Sequence, residues 1–359
     1  MADRERPVFD PARSLGWRTG PLDGLSCLLR CTEAVLRAQG FAPLDVARAL
    51  ALPVDLTGGR REPARFRSGR LSWRNAVDGR EHWGELTRLV TEGSPVILMP
   101  DRFYWPGDEF EGRHHFLDHM VLVIGATATE LEVLDTDAPP EDGFIRRIPV
   151  SPAVVRSACR FATVHFEPPE DTADSLRETL VRPMTRWLAE DLAALDGFAE
   201  RWEREGLTGP MARALHVLVL GELQPALFLT ALSVRDTDPA VADAARSAAA
   251  ASQRLGLALL GAHRYAGEEA QDRTVYRPVL SVFGSARRAL AALVAVSSGT
   301  PEAGDGTARP ADDRLWRRVE DMRAWCFAED VTPPGPAAPA PASPAAHSVT
   351  HVTFEGVQP

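Results

Sequence analysis

Lysine is absent from all 359 residues, so arginine carries the basic charge of the chain. The excess of arginine and alanine reads as codon usage rather than as function. Cysteine is scarce: Cys27, Cys31, Cys159 and Cys326 are the four. They form no CxxC pair and no dense framework, which argues against a disulfide scaffold and for a reduced, cytoplasmic protein. Cys27 and Cys31 are four apart, neighbours on a helix, where a bridge would constrain little. No uninterrupted apolar run suits a membrane span; one of the longest, 289–296, is far too short. The opening residues, Met-Ala-Asp-Arg-Glu-Arg-Pro, lack an apolar core, so no signal peptide is expected. Basic excess is missing too. The net charge of −10 argues against nonspecific binding to nucleic acid. The remaining composition, 45% hydrophobic and 25% charged, is that of a soluble globular chain, and its length suits two domains.

One stretch organises the first half. Asp23-Gly24-Leu25-Ser26-Cys27 is a turn leading into a helical pattern that stops at Gly40. Ser26 is the expected N-cap and Gly40 the expected C-terminal stop. Arg30, Glu33 and Arg37 share one side and predict a wet face. Leu28, Leu29, Cys31, Val35 and Leu36 fill the apolar arc. Cys27 sits at the border in the first turn, where free N–H groups and the helix dipole favour a thiolate and hold an oxyanion. By itself such a cysteine is usually a small buried apolar residue. A histidine base is needed to make it a nucleophile.

The chain then predicts a short helix over 41–52, a loop over 53–70, a helix over 73–92 and a buried strand over 95–99. The loop carries Arg60, Arg61, Arg65, Arg67 and Arg70 against Asp55 and Glu62. It is either a solvated loop or a dock for an acidic partner. A loop of aromatic and acidic residues follows over 101–113. Next come strands over 119–125 and 129–135, joined through 126–128 as a hairpin. With that loop Gly125 faces Thr129, and counting outward places His119 opposite Asp135. A slip of one residue would move Asp135 to the other face. Strands are expected at 144–150 and 162–166, with a short helix over 152–159 between them. From 170 onward strand signals vanish, and helices are expected over 173–206, 209–232, 238–264, 277–298 and 311–328. Residues 332–346 are almost all Pro, Ala and Gly, an extended segment that cannot bury a core. His351–Phe354 is a possible short strand. The fold class is α+β, with domains at 1–168 and 169–330 and a tail at 331–359.

A cysteine opening a helix, a histidine opening a strand and an aspartate closing the next strand resemble the papain-like fold of the C39 peptidase type. The match is closer to the family typified by butirosin biosynthesis protein H. There the same helix is followed by an aspartate-aromatic segment, here Asp101-Arg-Phe-Tyr-Trp-Pro, and then by His, hairpin and Asp. The resemblance covers about 20–165. It implies Cys27 as nucleophile, His119 as base and Asp135 as the group that orients the imidazole, with Asp137 in reserve. It implies transfer of an acyl or aminoacyl group from the phosphopantetheine thioester of an acyl carrier protein to a small-molecule amine in antibiotic biosynthesis. No cofactor of its own is implied. The arginine run from Arg60 to Arg70 would dock the carrier. Such peptidases also carry an oxyanion Gln before the cysteine. Residues 19–26 have no Gln or Asn, leaving the Cys27 N–H and Ser26 for that task.

Asp101, Tyr104, Trp105 and His115 are the further substrate-binding candidates, each with a bland alternative: Asp101 a turn cap, the aromatics a cover for the core, His115 a solvated loop residue. Other functions share the residues. Water as acceptor would make the same triad a thioesterase or peptidase. A zinc site from Cys27, Cys31, His114, His115 and His119 ranks lower, because the i, i+4 spacing of His115 and His119 loses its meaning in a strand. A degenerate, non-catalytic binding domain and a homodimer held by the helical half complete the alternatives.

Overall fold

Twelve residues, Cys27–Ala38, form the first helix (α1) of the computed structural model. The described residues are 27–58, 65–113, 115–117, 119–136, 144–166, 173–265, 273–299 and 312–326. Ser26, Arg60, Arg61, His114, Asp137 and the segment 351–354 lie outside them. Gly40 ends the helix as expected. Its φ is +92°, and the Gly40 and Phe41 N–H groups bond the Arg37 and Leu36 carbonyls. That double bond pattern is a Schellman cap. The expected wet face is a correction. Arg30 and Glu33 are buried, and Arg30 Nη1 donates to Glu33 Oε2 at 2.8 Å. The helix is enclosed on both sides, so its charges pair with each other rather than with water.

The chain divides into two units. The first holds residues up to 49 and 68–168. Its sheet contains β2 (Gly69–Asn75), β3 (Val96–Leu98), β4 (Val121–Ala126), β5 (Glu130–Leu134), β6 (Ile145–Pro149) and β7 (Arg160–Phe166), after a two-residue β1 (Arg65–Phe66). These six run in the order β2-β7-β3-β4-β5-β6, every neighbour antiparallel. α1 packs on β3, β4 and β7, and α3 (Trp83–Thr91) on β3 and β4, with α2 (Pro43–Leu50) between them in the chain. One core joins Leu86 and Val90 of α3 to Val96, Leu98, Val121, Val123, Leu131 and Val133. The alternation of these strand residues is the period of a pleated sheet.

Residues 69–75 are a further correction. The helix expected from Trp73 starts only at Trp83, because Gly69–Asn75 pairs along its whole length with β7. Its polar residues hid the alternation, and long-range pairing overrode local propensity.

The second unit holds residues 50–67 and 169–325. It is helical: α5 (Ala173–Leu176), α6 (Arg182–Glu205), α7 (Gly209–Leu218), α8 (Gln224–Val234), α9 (Pro239–Tyr265), α10 (Arg273–Ser298) and α11 (Arg314–Cys326) follow α4 (Pro152–Ser157) of the first unit. π-helical turns at Arg177–Val181 and Val219–Leu223 precede Pro183 and Pro225. They absorb the lost N–H without breaking the rod. Residues 50–67, placed by sequence with the first domain, are held to the helices by polar contacts. Fully buried Asp191 accepts the Leu56 N–H at 3.0 Å and the Thr57 hydroxyl at 3.3 Å. Arg318 donates to the Asp55 carbonyl and, at 2.6 and 2.7 Å, to both oxygens of Glu222. Two helical stretches, Gly209–Val234 and Tyr276–Ser298, are long and apolar enough to cross a membrane by length and composition. A count of unbroken apolar runs missed them because Arg213, His216, Glu222 and Gln224 interrupt the first and Arg277, Arg287 and Arg288 the second; most of the first is buried within the protein.

Gly40→Ala should destabilise the first unit by about 1 kcal/mol, since an L side chain resists this φ. Nothing stands within 4 Å of the added methyl, so the loss is conformational. Urea unfolding followed by the signal of the sheet unit reads it.

Candidate active site

Antiparallel pairing gathers the chemistry at one end of the sheet. β4 begins beside the ends of β3 and β5, so His119, Asp101 and Asp135 share that end. The helix start of α1 brings Cys27 to it. His119 Nε2 meets Asp135 Oδ1 at 2.8 Å. His119 also hydrogen-bonds the Cys27 side chain. Cys27 is half-buried, His119 is 6% exposed and Asp135 is fully buried. Cys27 is thus less shielded than its two partners.

The register differs from the counted one. Ala126 pairs with Leu131 and Gly125 with Glu132, but Val123 pairs with Val133 and Leu122 with Leu134. Ile124 is the extra residue of a β-bulge. Continuing that register places Asp135 opposite Val121, so His119 reaches it diagonally rather than directly. The shift between counted and observed register is two residues, which preserves the face. Without the bulge the offset would be odd, and Asp135 would point away from His119. The tight turn helps to hold this hairpin: Thr127 Oγ1 accepts the Thr129 and Glu130 N–H groups at 3.3 and 3.0 Å.

Burial alone would push the His119 imidazole toward its neutral form. The hydrogen bonds to Asp135 and Cys27 outweigh it, and the ring's pKa rises well above 6.5. Cys31 behaves oppositely to a nucleophile. It is 1% exposed, its thiol donates to the Met120 carbonyl at 3.7 Å, and burial, then the charges of Cys27 and Asp135, push its pKa up. Burial and the Asp101 charge likewise push Cys159 up to about 12.

Arg146 was missed from the sequence. Its Nη1 donates to Asp135 Oδ2 at 2.8 Å and its Nη2 to the Pro106 carbonyl at 2.8 Å. It pairs with Val133, and the Asp135 N–H bonds the Phe144 carbonyl, so Arg146 and Asp135 fall on one face. Arg147 beside it is exposed. Only the register of this hairpin separates the two arginines, and sequence did not supply it.

The aromatic segment is ordered by its own contacts. Asp101 caps the turn Arg102–Tyr104 through the Phe103 N–H at 3.1 Å, and its other oxygen meets His115 Nδ1 at 2.6 Å. His115 stacks on Phe103 with centroids 4.4 Å apart. Arg102 bonds Asp108 at 2.8 Å and lies over Phe110 and Phe116. Tyr104 is half-buried against Arg156; burial raises its phenol pKa. Trp105 is a correction: it is fully buried in the sheet core with Val121 and Phe161 and cannot line an open pocket. The described members of the arginine run are not all in a loop. Arg67 bonds Thr179 at 3.3 Å, and Arg70 is an exposed residue of β2. Among the described residues, no group of three His, Cys, Asp or Glu is arranged to hold a metal ion. No family model matches the chain, and no curated protein matches it significantly.

Two outcomes follow. Protonated His119 favours the folded state, because its pKa is raised on folding. That contribution is complete below about pH 6.5 and is lost as pH rises through the native value. Asp135→Asn should therefore flatten the fall in urea midpoint as the pH rises above about 6.5. Trp105→Ala should cost roughly 3 to 5 kcal/mol of stability, the price of an aromatic-sized core cavity, measured by the same unfolding experiment.

Proposed function

We propose that the chain is a cysteine-dependent acyltransferase whose first unit is a papain-like catalytic domain. The observation that carries this reading is a buried histidine hydrogen-bonded to both a helix-start cysteine and a fully buried aspartate. Cys31 and Cys159 lack that setting.

The chemistry is acyl transfer in two halves. Cys27 Sγ attacks the carbonyl carbon of a thioester, and the C–S bond to pantetheine breaks. The departing sulfur takes a proton from His119. The acyl group is then a thioester on Cys27. An amine of a small molecule attacks that carbonyl, His119 receives its proton, and Cys27 leaves as thiolate with an amide formed. Asp135 holds the imidazole in one orientation throughout. The Cys27 N–H at the start of α1 is the candidate oxyanion donor. An acyl carrier protein of a natural-product pathway is the donor this reading favours, in the cytoplasm, with no resident cofactor.

Incubation with a panel of acyl-pantetheine thioesters, followed by intact-protein mass spectrometry, tests it. The wild type and Cys31→Ala should gain one acyl mass, and Cys27→Ala should gain none. An adduct that survives in Cys27→Ala contradicts the assignment. Once formed, release to an added amine rather than to water separates the transferase from a thioesterase.

A further inference from the structure

The catalytic aspartate of this site is not the last member of its chain. Asp135 Oδ1 serves His119, and Oδ2 is taken by Arg146 Nη1 at 2.8 Å. The same guanidinium reaches, through Nη2 at 2.8 Å, the carbonyl of Pro106. Pro106 precedes Gly107, whose φ is +75°, and Gly107 stands so close that an added Cβ would lie 3.5 Å from Nη2. This is the loop stiffened by the Arg102–Asp108 pair, with the Gly107 N–H bonded to Glu111 at 2.8 Å. One side chain on β6 therefore joins the orienting carboxylate to the aromatic loop.

We propose that Arg146 is the positioning residue of this site, fixing the angle of Asp135 against His119 and locking the loop around Pro106 to the triad. The inference rests on the acyltransferase reading for its chemistry, but its geometry stands on β5, β6 and the loop alone. Two planar donors in a fixed fork suit this double duty; a lysine ammonium offers a point charge instead. Charge counting gives the second half of the role. Thiolate, imidazolium, carboxylate and guanidinium form a quartet with no net charge. Without Arg146 the thiolate and the carboxylate share one cation, the imidazolium, and the reactive state of the site carries a net negative charge. Among the described residues, the charged and titratable groups beside this quartet are Cys31 from α1 and the Arg102–Asp108 pair of the loop.

Removing a cation beside coupled groups raises the pH at which each gives up its proton. The rate of Cys27 alkylation by iodoacetamide, followed against pH by peptide mass spectrometry, reads that directly. In Arg146→Gln the rising limb should move up by about half a pH unit or more. Arg146→Lys, which keeps the charge but loses the fork, should restore the limb. Its Gly107 and Asp108 amides should nevertheless exchange hydrogen several-fold faster than in the wild type. A folded Arg146→Gln protein with the wild-type limb overturns the electrostatic role. Unchanged amide exchange in Arg146→Lys, a variant that retains the positive charge, overturns the tether. Wild-type Cys27 reacting no faster than Cys159 overturns the triad itself, a failure distinct from either.

Discussion

The site depends on a single extra residue in a hairpin. Ile124 is the bulge that lets Val123 face Val133 while Gly125 faces Glu132. Because side chains alternate along a strand, that one residue decides whether Asp135 looks toward His119 or away from it. The 2.8 Å contact between them follows from the parity of the register, and so does everything that leans on it. Arg146 reaches Asp135 only because β6 continues the same parity on the next strand. Cys27 meets the imidazole because α1 packs across β3, β4 and β7 with its first turn at the same end.

Burial of charge is the second constraint. Away from water a lone charge is costly, and three buried arginines are matched by carboxylates. Arg30 pairs with Glu33 inside α1, Arg102 with Asp108 under two phenylalanines, and Arg318 with Glu222 in the helical unit. These pairs have structural work. The pair at the sheet end differs because its partners include a histidine and a half-exposed thiol. Desolvation and hydrogen bonding there pull in opposite directions, and hydrogen bonding wins.

Much of this was readable from residues alone. The Gly40 stop, the strand starting after His119 and the helical texture beyond 170 all rest on local patterns, and each has its counterpart in the mixed α+β structure. The pairing of His119 with Asp135 was reached by a register that was wrong by two, an even error that parity forgave. What failed was non-local. Trp73 was placed in a helix because nothing near it announces pairing with Ala162. Arg30 and Glu33 were placed in water because helical spacing sees one face and not what encloses it. Trp105 was assigned to a pocket because an aromatic in a loop carries no sign of its own burial. Arg146 was invisible because 144–150 could be recognised as a strand without knowing which arginine points inward.

The charge state of His119 tests the central claim most directly. Nitrogen NMR of ring-labelled histidine, compared with Cys27→Ala and Asp135→Asn, assigns and follows that one imidazole with pH. In the wild type it should remain doubly protonated through neutral pH, held between Asp135 and Cys27, and each substitution should lower the pH at which it discharges. A wild-type ring that is neutral at pH 7 and titrates near the free value of about 6.5 would contradict the account.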